Sequence, residues 1–227
     1  MPRSKRYIEL KKLVDPDKVY KLSEAILLAK KTARTKFDSS LEAHFRLNID
    51  ASKGEQQVRG GVILPHGTGK TKKVAAFVTS KSEAAAKEAG ADLVGGKELI
   101  DKIKTTQKIE FEVAVAEPEL MKDLAVIAKI LGPKGLMPSP KNETVAKDIK
   151  KAVAQLKGGK VNFKNDDTGN IHQIFGKTSF ENQKLEENFK ALYDAVKKAK
   201  PSGIKGNYLA NVSINATMGP GIKISVE

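Results

Sequence analysis

The chain of 227 residues has no cysteine, no tryptophan, only 5% aromatic residues and only three histidines. Without cysteine there is no disulfide framework, thiol nucleophile or thiolate metal site, and the composition suits a reducing compartment. His44, His66 and His172 lie far apart on unlike segments, so no pair has the spacing of metal ligands on one helix face. So few aromatic rings argue against a stacking platform for single-stranded nucleic acid. No apolar run approaches the ~18 residues needed to span a bilayer. The opening MPRSKRYIELKK is basic and lacks the apolar stretch of a secretory signal. Together these absences predict a cytoplasmic protein without membrane attachment. Acidic residues mostly interleave with lysine on helix faces, the pattern of a solvated surface. No catalytic constellation, metal site or cofactor motif stands out.

What the chain has in excess is positive charge. Lys and Arg number 41 against 27 Asp and Glu, a formal net charge of +14, beside 40% hydrophobic residues. This is a polycation with enough apolar residues to fold. At such a charge a folded domain repels itself, and an anionic partner relieves the repulsion. Nucleic acid is the densest polyanion available. A merely soluble basic protein is the plainer alternative.

Hydrophobic patterning divides the chain into three stretches. Positions 41–50 alternate strictly, with Leu41, Ala43, Phe45, Leu47 and Ile49 apolar and Glu42, His44, Arg46, Asn48 and Asp50 polar. That predicts a strand with one wet face in an antiparallel sheet. Before it, Ser23 is positioned to cap a helix reaching about residue 33. After it, residues 58–64 give a strand interrupted by Gly60-Gly61. Beyond Pro65-His66-Gly67 the pattern changes. Short apolar runs at 74–78, 93–94 and 111–116 alternate with helical segments at 82–89, 97–104, 119–131 and 144–157, which predicts a small parallel α/β domain. Past Gly158-Gly159 alternation resumes. A hairpin is expected around residues 161–175, then a helix with Leu185, Phe189, Leu192, Tyr193 and Val196 on one face, then two late strands.

The two ends share one character and the middle another. The predicted fold is therefore mixed. A discontinuous α+β outer domain (1–66 and 160–227) has a largely antiparallel sheet, and a Rossmann-like parallel α/β domain (67–159) is inserted into it. The two crossings make a hinge at His66, Gly67, Gly158 and Gly159, where glycine frees the backbone.

Several short motifs carry candidate chemistry. Gly69-Lys70-Thr71 imitates the tail of a nucleotide-binding loop, but the Gly required five positions earlier is Leu64. A nucleotide-binding α/β enzyme using Lys70 and Thr71 is the rival reading. Residues 131–140, LGPKGLMPSP, predict a tight loop with Leu136 and Met137 tucked under the domain. In TMGPG, Gly219 permits close backbone approach, Pro220 stiffens the turn, Thr217 offers a hydroxyl and Met218 a pliable apolar tip. That fits either a sugar-phosphate edge or an ordinary hairpin turn. Lys36 is placed to reach phosphate, and Phe37 to stack on a base or to enter the core. The basic arm, with Arg3, Lys5 and Arg6, is either a solvated tail or a strap on phosphate. A smooth basic surface suits structured RNA read by shape and 2′-hydroxyls.

KFDSSLEAHFRLNID, VRGGVILPHGTGK, AGADLVGG, ILGPKGLMPSPK, FKNDDTGNIH and the closing TMGPG, taken together and in order, resemble the L-one family of bacterial large-subunit ribosomal proteins. The resemblance covers essentially the whole chain. It implies two domains with a discontinuous outer one. It also implies binding to a structured segment of large-subunit ribosomal RNA, forming a mobile stalk beside the exit site for spent tRNA. Repression of the protein's own operon through a mimicking fold in its mRNA is implied as well. Carried over by motif, the RNA surface comprises Lys36, Phe37 and Ser40, then Asp166, Thr168 and His172, then Thr217, Met218, Gly219 and Pro220. The implied protein is a non-enzymatic monomer away from the ribosome, without a cofactor, that meets tRNA transiently.

Overall fold

Ser4 sits in extended backbone and its hydroxyl accepts the Tyr7 N–H, capping helix α1 (Lys5–Lys11) with Leu10 buried beneath it. The basic arm is thus a docked helix, not a solvated tail. A computed structural model describes residues 4–140, 144–146, 148–204 and 206–225; Arg3 lies outside them. Helix α2 (Leu22–Thr32) is capped at Lys21, without a side-chain bond, so Ser23 falls inside it. The reason is tertiary. Tyr20 pairs with the far end of the chain, its N–H donating to the Lys223 carbonyl and its own carbonyl accepting from Ser225 N–H. That extended pairing holds Lys21 non-helical, and the helix starts at once behind it.

Strand β1 (Ser40–Leu47) buries every second residue as the alternation requires, and β2 (Arg59–Ile63) follows. The middle of the chain supplies β3 (Val74–Phe77), α3 (Glu83–Glu88), β4 (Leu93–Gly95), α4 (Lys97–Thr106) and β5 (Val113–Ala116). These strands form a parallel sheet in the order β4-β3-β5. β3 is wholly buried, as a central parallel strand covered on both faces must be.

The single helix expected at 119–131 is broken into short pieces. A 3₁₀ turn (Pro118–Leu120) leads into α5 (Met121–Leu124), and another (Ala125–Ile127) into α6 (Ala128–Leu131). Leu120, Leu124, Ile127 and Leu131 are all buried in one cluster. The apolar spacing dictates the face, and the tighter 3₁₀ bonds keep that face inward without changing it. Leu136 and Met137 pack against the same cluster, so the Gly/Pro loop serves packing. The helix expected at 144–157 is shorter, because Val145 pairs with Ala116 in parallel fashion and Asp148 then caps α7 (Ile149–Lys157).

The chain returns through β6 (Lys160–Lys164), β7 (Asn170–Lys177), α8 (Asn182–Lys198), β8 (Leu209–Ala216) and β9 (Ile222–Lys223). The main sheet is antiparallel in the order β7-β1-β8-β9, and β2 pairs with β6 as a separate ribbon. The inner face of the main sheet packs on α2 and α8, with Phe189 stacked on Phe45 and edge-on to Phe175. The chain divides into two compact units, one of Met1–Gly69 with Val161–Glu227 and one of Lys70–Lys160. The first is α+β and the second parallel α/β, the fold class the patterning implied.

Candidate nucleic-acid interface

The period-two geometry that buries Leu41, Ala43 and Phe45 turns Ser40, Glu42, His44 and Arg46 to the other face of the sheet. Strand pairing sets neighbours beside each. His44 lies between His172 on β7 and Ser213 on β8, Glu42 pairs with Asn215, and Arg46 lies between Asn170 and Asn211. The result is an outward face of hydroxyls, amides and imidazoles, edged by loops at both ends.

At one edge, Ser40 N–H donates to Thr217 Oγ1 at 3.1 Å, and that hydroxyl returns a bond to the Ser40 carbonyl at 3.2 Å. Thr217 therefore welds β1 to the TMGPG turn. Met218 follows at φ 63, a left-handed conformation costly for a side chain with a Cβ, and stands 62% exposed. The turn closes by Gly219 N–H donating to the Ala216 carbonyl. Pro220 is buried, which corrects its place among the surface residues.

Arg6 joins the neighbouring loop to this turn. Its guanidinium donates to the Arg34 carbonyl at 3.0 Å and approaches the Met218 sulfur at 3.8 Å. In that loop the Thr35 hydroxyl donates to the Phe37 carbonyl, and Asp38 accepts from the Thr178 and Ser179 hydroxyls and from Ser179 N–H. Burial pushes the Asp38 carboxyl up, but these donors outweigh it and hold it below its ordinary range. Lys177 ties the same loop down by donating to the Asp38 carbonyl and the Ser40 hydroxyl. So braced, Phe37 presents a ring 56% exposed, outside the core, with Lys36 exposed beside it.

At the other edge is the Asp166–Asn170 turn. Asp166 accepts from the Thr168 N–H and hydroxyl and from the Asn170 N–H and side-chain amide, with His172 Nε2 at 3.5 Å. Its carboxylate is thus engaged in building the turn and remains 39% exposed. Burial raises this carboxyl, but the Asn170 and Thr168 donors overcome it and hold it far below its ordinary value of 3.8. Such a group stabilises the fold above its unfolded value, and the contribution is lost as pH falls toward the folded one. Asp166→Ala should cost about 1–2 kcal/mol at pH 7, the lower part of the range because the carboxylate is 39% exposed. The gap from the parent should narrow as pH drops below about 4, read by urea unfolding at pH 7 and pH 3.

Between the edges runs a chain that the sequence reading missed. His172 Nδ1 meets His44 Nδ1 at 2.7 Å, and His44 Nε2 meets Asn215 Oδ1 at 2.9 Å. With the amide oxygen accepting from His44 Nε2–H, His44 Nδ1 is the acceptor and His172 Nδ1–H the donor. One hydrogen-bonded line thus crosses β7, β1 and β8. Its signal lay in the polar positions of the alternating segments 41–47 and 211–215. Their partners depend on strand pairing, which spacing does not give.

Lys36, Phe37, Ser40, Thr217, Met218 and Gly219 converge at one edge with Arg6, while Asp166, Thr168 and His172 lie at the other. Lys5 is exposed on α1. His66 and Gly67 are elsewhere, bonded to Glu187 and Asn188 of α8. Lys70 and Thr71 precede a strand, whereas a phosphate-binding loop follows a strand and opens a helix; the partial motif is not such a loop. Among the described residues no three metal-ligating side chains converge.

Comparison with known proteins fits this architecture. The model of the Ribosomal protein L1p/L10e family matches residues 29–220. The chain is 52% identical over 221 residues to the large ribosomal subunit protein uL1 of Mycoplasma capricolum, covering 97% of both chains. It is 52% identical over 224 residues to that of Mesoplasma florum, covering 99% of this chain and 98% of the relative. The uL1 of Thermosipho africanus is 49% identical over 225 residues, 99% of this chain and 97% of its own. A family match across most of the chain, with relatives near half identical end to end, leaves one conclusion: the chain belongs to the Ribosomal protein L1p/L10e family.

Proposed function

We propose that the outward face of the main sheet, with its two edging loops, binds a folded segment of large-subunit ribosomal RNA. On this reading the protein is a structural, non-enzymatic component of the mobile stalk beside the tRNA exit site, ribosome-associated in the cytoplasm. The same face would hold the mimicking fold in its own operon's mRNA and so repress translation. Away from RNA it is a monomer and needs no cofactor. The observation that carries the proposal is the continuous arrangement from Phe37 through Arg6, Met218 and Thr217 to Ser40. It sets an apolar tip, cations and backbone edges at fixed spacing, suited to ribose and phosphate.

The path between units supports a swinging stalk. Asn188 pins His66 and Gly67 to the first unit, so the outgoing pivot falls at Gly69 (φ 74) and the returning one at Gly159 (φ 103), both backbone states that favour glycine. Gly158 sits beside the latter as the cap of α7.

Filter binding tests the proposal. The stalk fragment of ribosomal RNA should outcompete a scrambled RNA of equal length by at least about tenfold, with affinity falling steeply as salt rises. Thr217→Val, which leaves Ser40 N–H without its partner, should weaken binding roughly five- to tenfold through loss of edge geometry. Equal affinity for both RNAs would refute the reading.

A further inference from the structure

The second unit carries a cavity of about 590 Å³ between residues 79–82 and 117–119. Its place follows from topology. β3 lies between β4 and β5, all three parallel. The chain leaves β3 toward β4 on one side, then crosses through α4 and returns as β5 on the other. The loops after β3 and β5 therefore part at the carboxyl ends of adjacent strands, the switch point where open α/β sheets hold ligands. The cavity opens between those two loops.

Its chemistry is legible. Glu117, the first residue after β5, is only 8% exposed and accepts from Thr79 N–H at 2.8 Å. Burial raises this carboxyl, but the donors of Thr79 and Ser82 prevail and hold it below its ordinary range. Hydroxyl oxygens accept as well as donate, so Thr79 and Ser82 add further acceptors to the lining. Glu119 adds an exposed carboxylate at the rim, and Lys81 supplies a single cation. The lining is acceptor-rich with an excess of one negative charge, so it suits a ligand that donates hydrogen bonds and disfavours a polyphosphate. A carboxylate near a strand's carboxyl end is how such sheets take ribose hydroxyls.

We propose that this crevice binds the ribose of a small ribonucleoside, the two hydroxyls of its 2′,3′-diol donating to the acceptor set formed by Glu117 and Glu119 with Thr79 and Ser82. The inference is independent of the RNA face and of Lys70 and Thr71.

Adenosine titrated into the full-length ¹⁵N-labelled protein tests it. Saturable shifts should appear at the amides of residues 79–82 and 117–119, with a dissociation constant on the order of 1 mM. 2′,3′-Dideoxyadenosine should bind at least about tenfold more weakly, having lost both donors. ATP should bind no better than adenosine. Glu119→Gln, which leaves the bonds inside the loop intact, should weaken adenosine several-fold. Absent or scattered shifts, or equal binding of the dideoxy compound, would overturn the proposal, and that comparison needs no variant.

Discussion

Replacing Asn188 with leucine should lower stability by about 3 kcal/mol, among the largest effects of any single change of similar volume in this chain. Asn188 is fully buried on α8 and makes three bonds to main-chain groups. Its oxygen accepts from His66 N–H at 3.0 Å, and its nitrogen donates to the carbonyls of Gly67 at 2.9 Å and Phe175 at 2.8 Å. The Phe175 carbonyl needs that donor because the β1–β7 register skips Phe175, pairing Leu41 with Gly176 and Glu42 with Ile174. A bulge leaves its extra residue without a ladder partner. Leucine would orphan three groups at once, each costing about 1–3 kcal/mol while it stays buried. Water entering at the His66–Gly67 loop recovers part, which holds the estimate toward the lower end. Urea unfolding should show a lower midpoint at unchanged slope. A loss under about 1 kcal/mol would mean that the loop satisfies itself without this side chain.

Met218→Asp should weaken binding to the ribosomal RNA fragment by roughly 1–3 kcal/mol, about five- to 150-fold, while leaving the fold at least as stable. Two facts separate the effects. The side chain is 62% exposed, so no core contact is lost. Its backbone at φ 63 suits Asp better than Met, because a short polar side chain tolerates the left-handed region. The new carboxylate would stand beside Arg6, which now approaches the Met218 sulfur, and would divert that cation from phosphate. Met218→Asn, of the same shape without charge, tells repulsion from lost contact. An affinity loss shared by Asn and Asp assigns the effect to the apolar tip; a loss confined to Asp assigns it to charge. Undiminished binding in both would remove the turn from the interface.

Much of the fold was legible because the two stretches obey different periods. Of the strict alternation at 41–50, the part up to Leu47 became β1, and the short buried runs between helices became the parallel sheet. What escaped was set by distant partners. Tyr20 pairing near Lys223 moved the start of α2 away from Ser23, and Val145 pairing with Ala116 trimmed α7. The opening segment looked like a loose arm because its apolar residues are few, yet Leu10 is buried and Ser4 caps a helix. At the candidate interface, the motifs marked loops but not the contacts each residue makes within the fold. Asp166 builds its turn, Thr217 joins two segments that lie far apart in sequence, and Pro220 is buried. The His172–His44–Asn215 line exists only because β7, β1 and β8 lie side by side.

The pairing at Tyr20 has a bearing on the life of the free chain. β9 ends the main sheet, and an uncovered border strand is a template on which another chain can add and aggregate. Tyr20 occupies that border with its own main chain. On the opposite flank β7 is buckled at Phe175, whose spare carbonyl is already claimed from within. The free chain thus has both borders of its main sheet blunted against the addition of another strand.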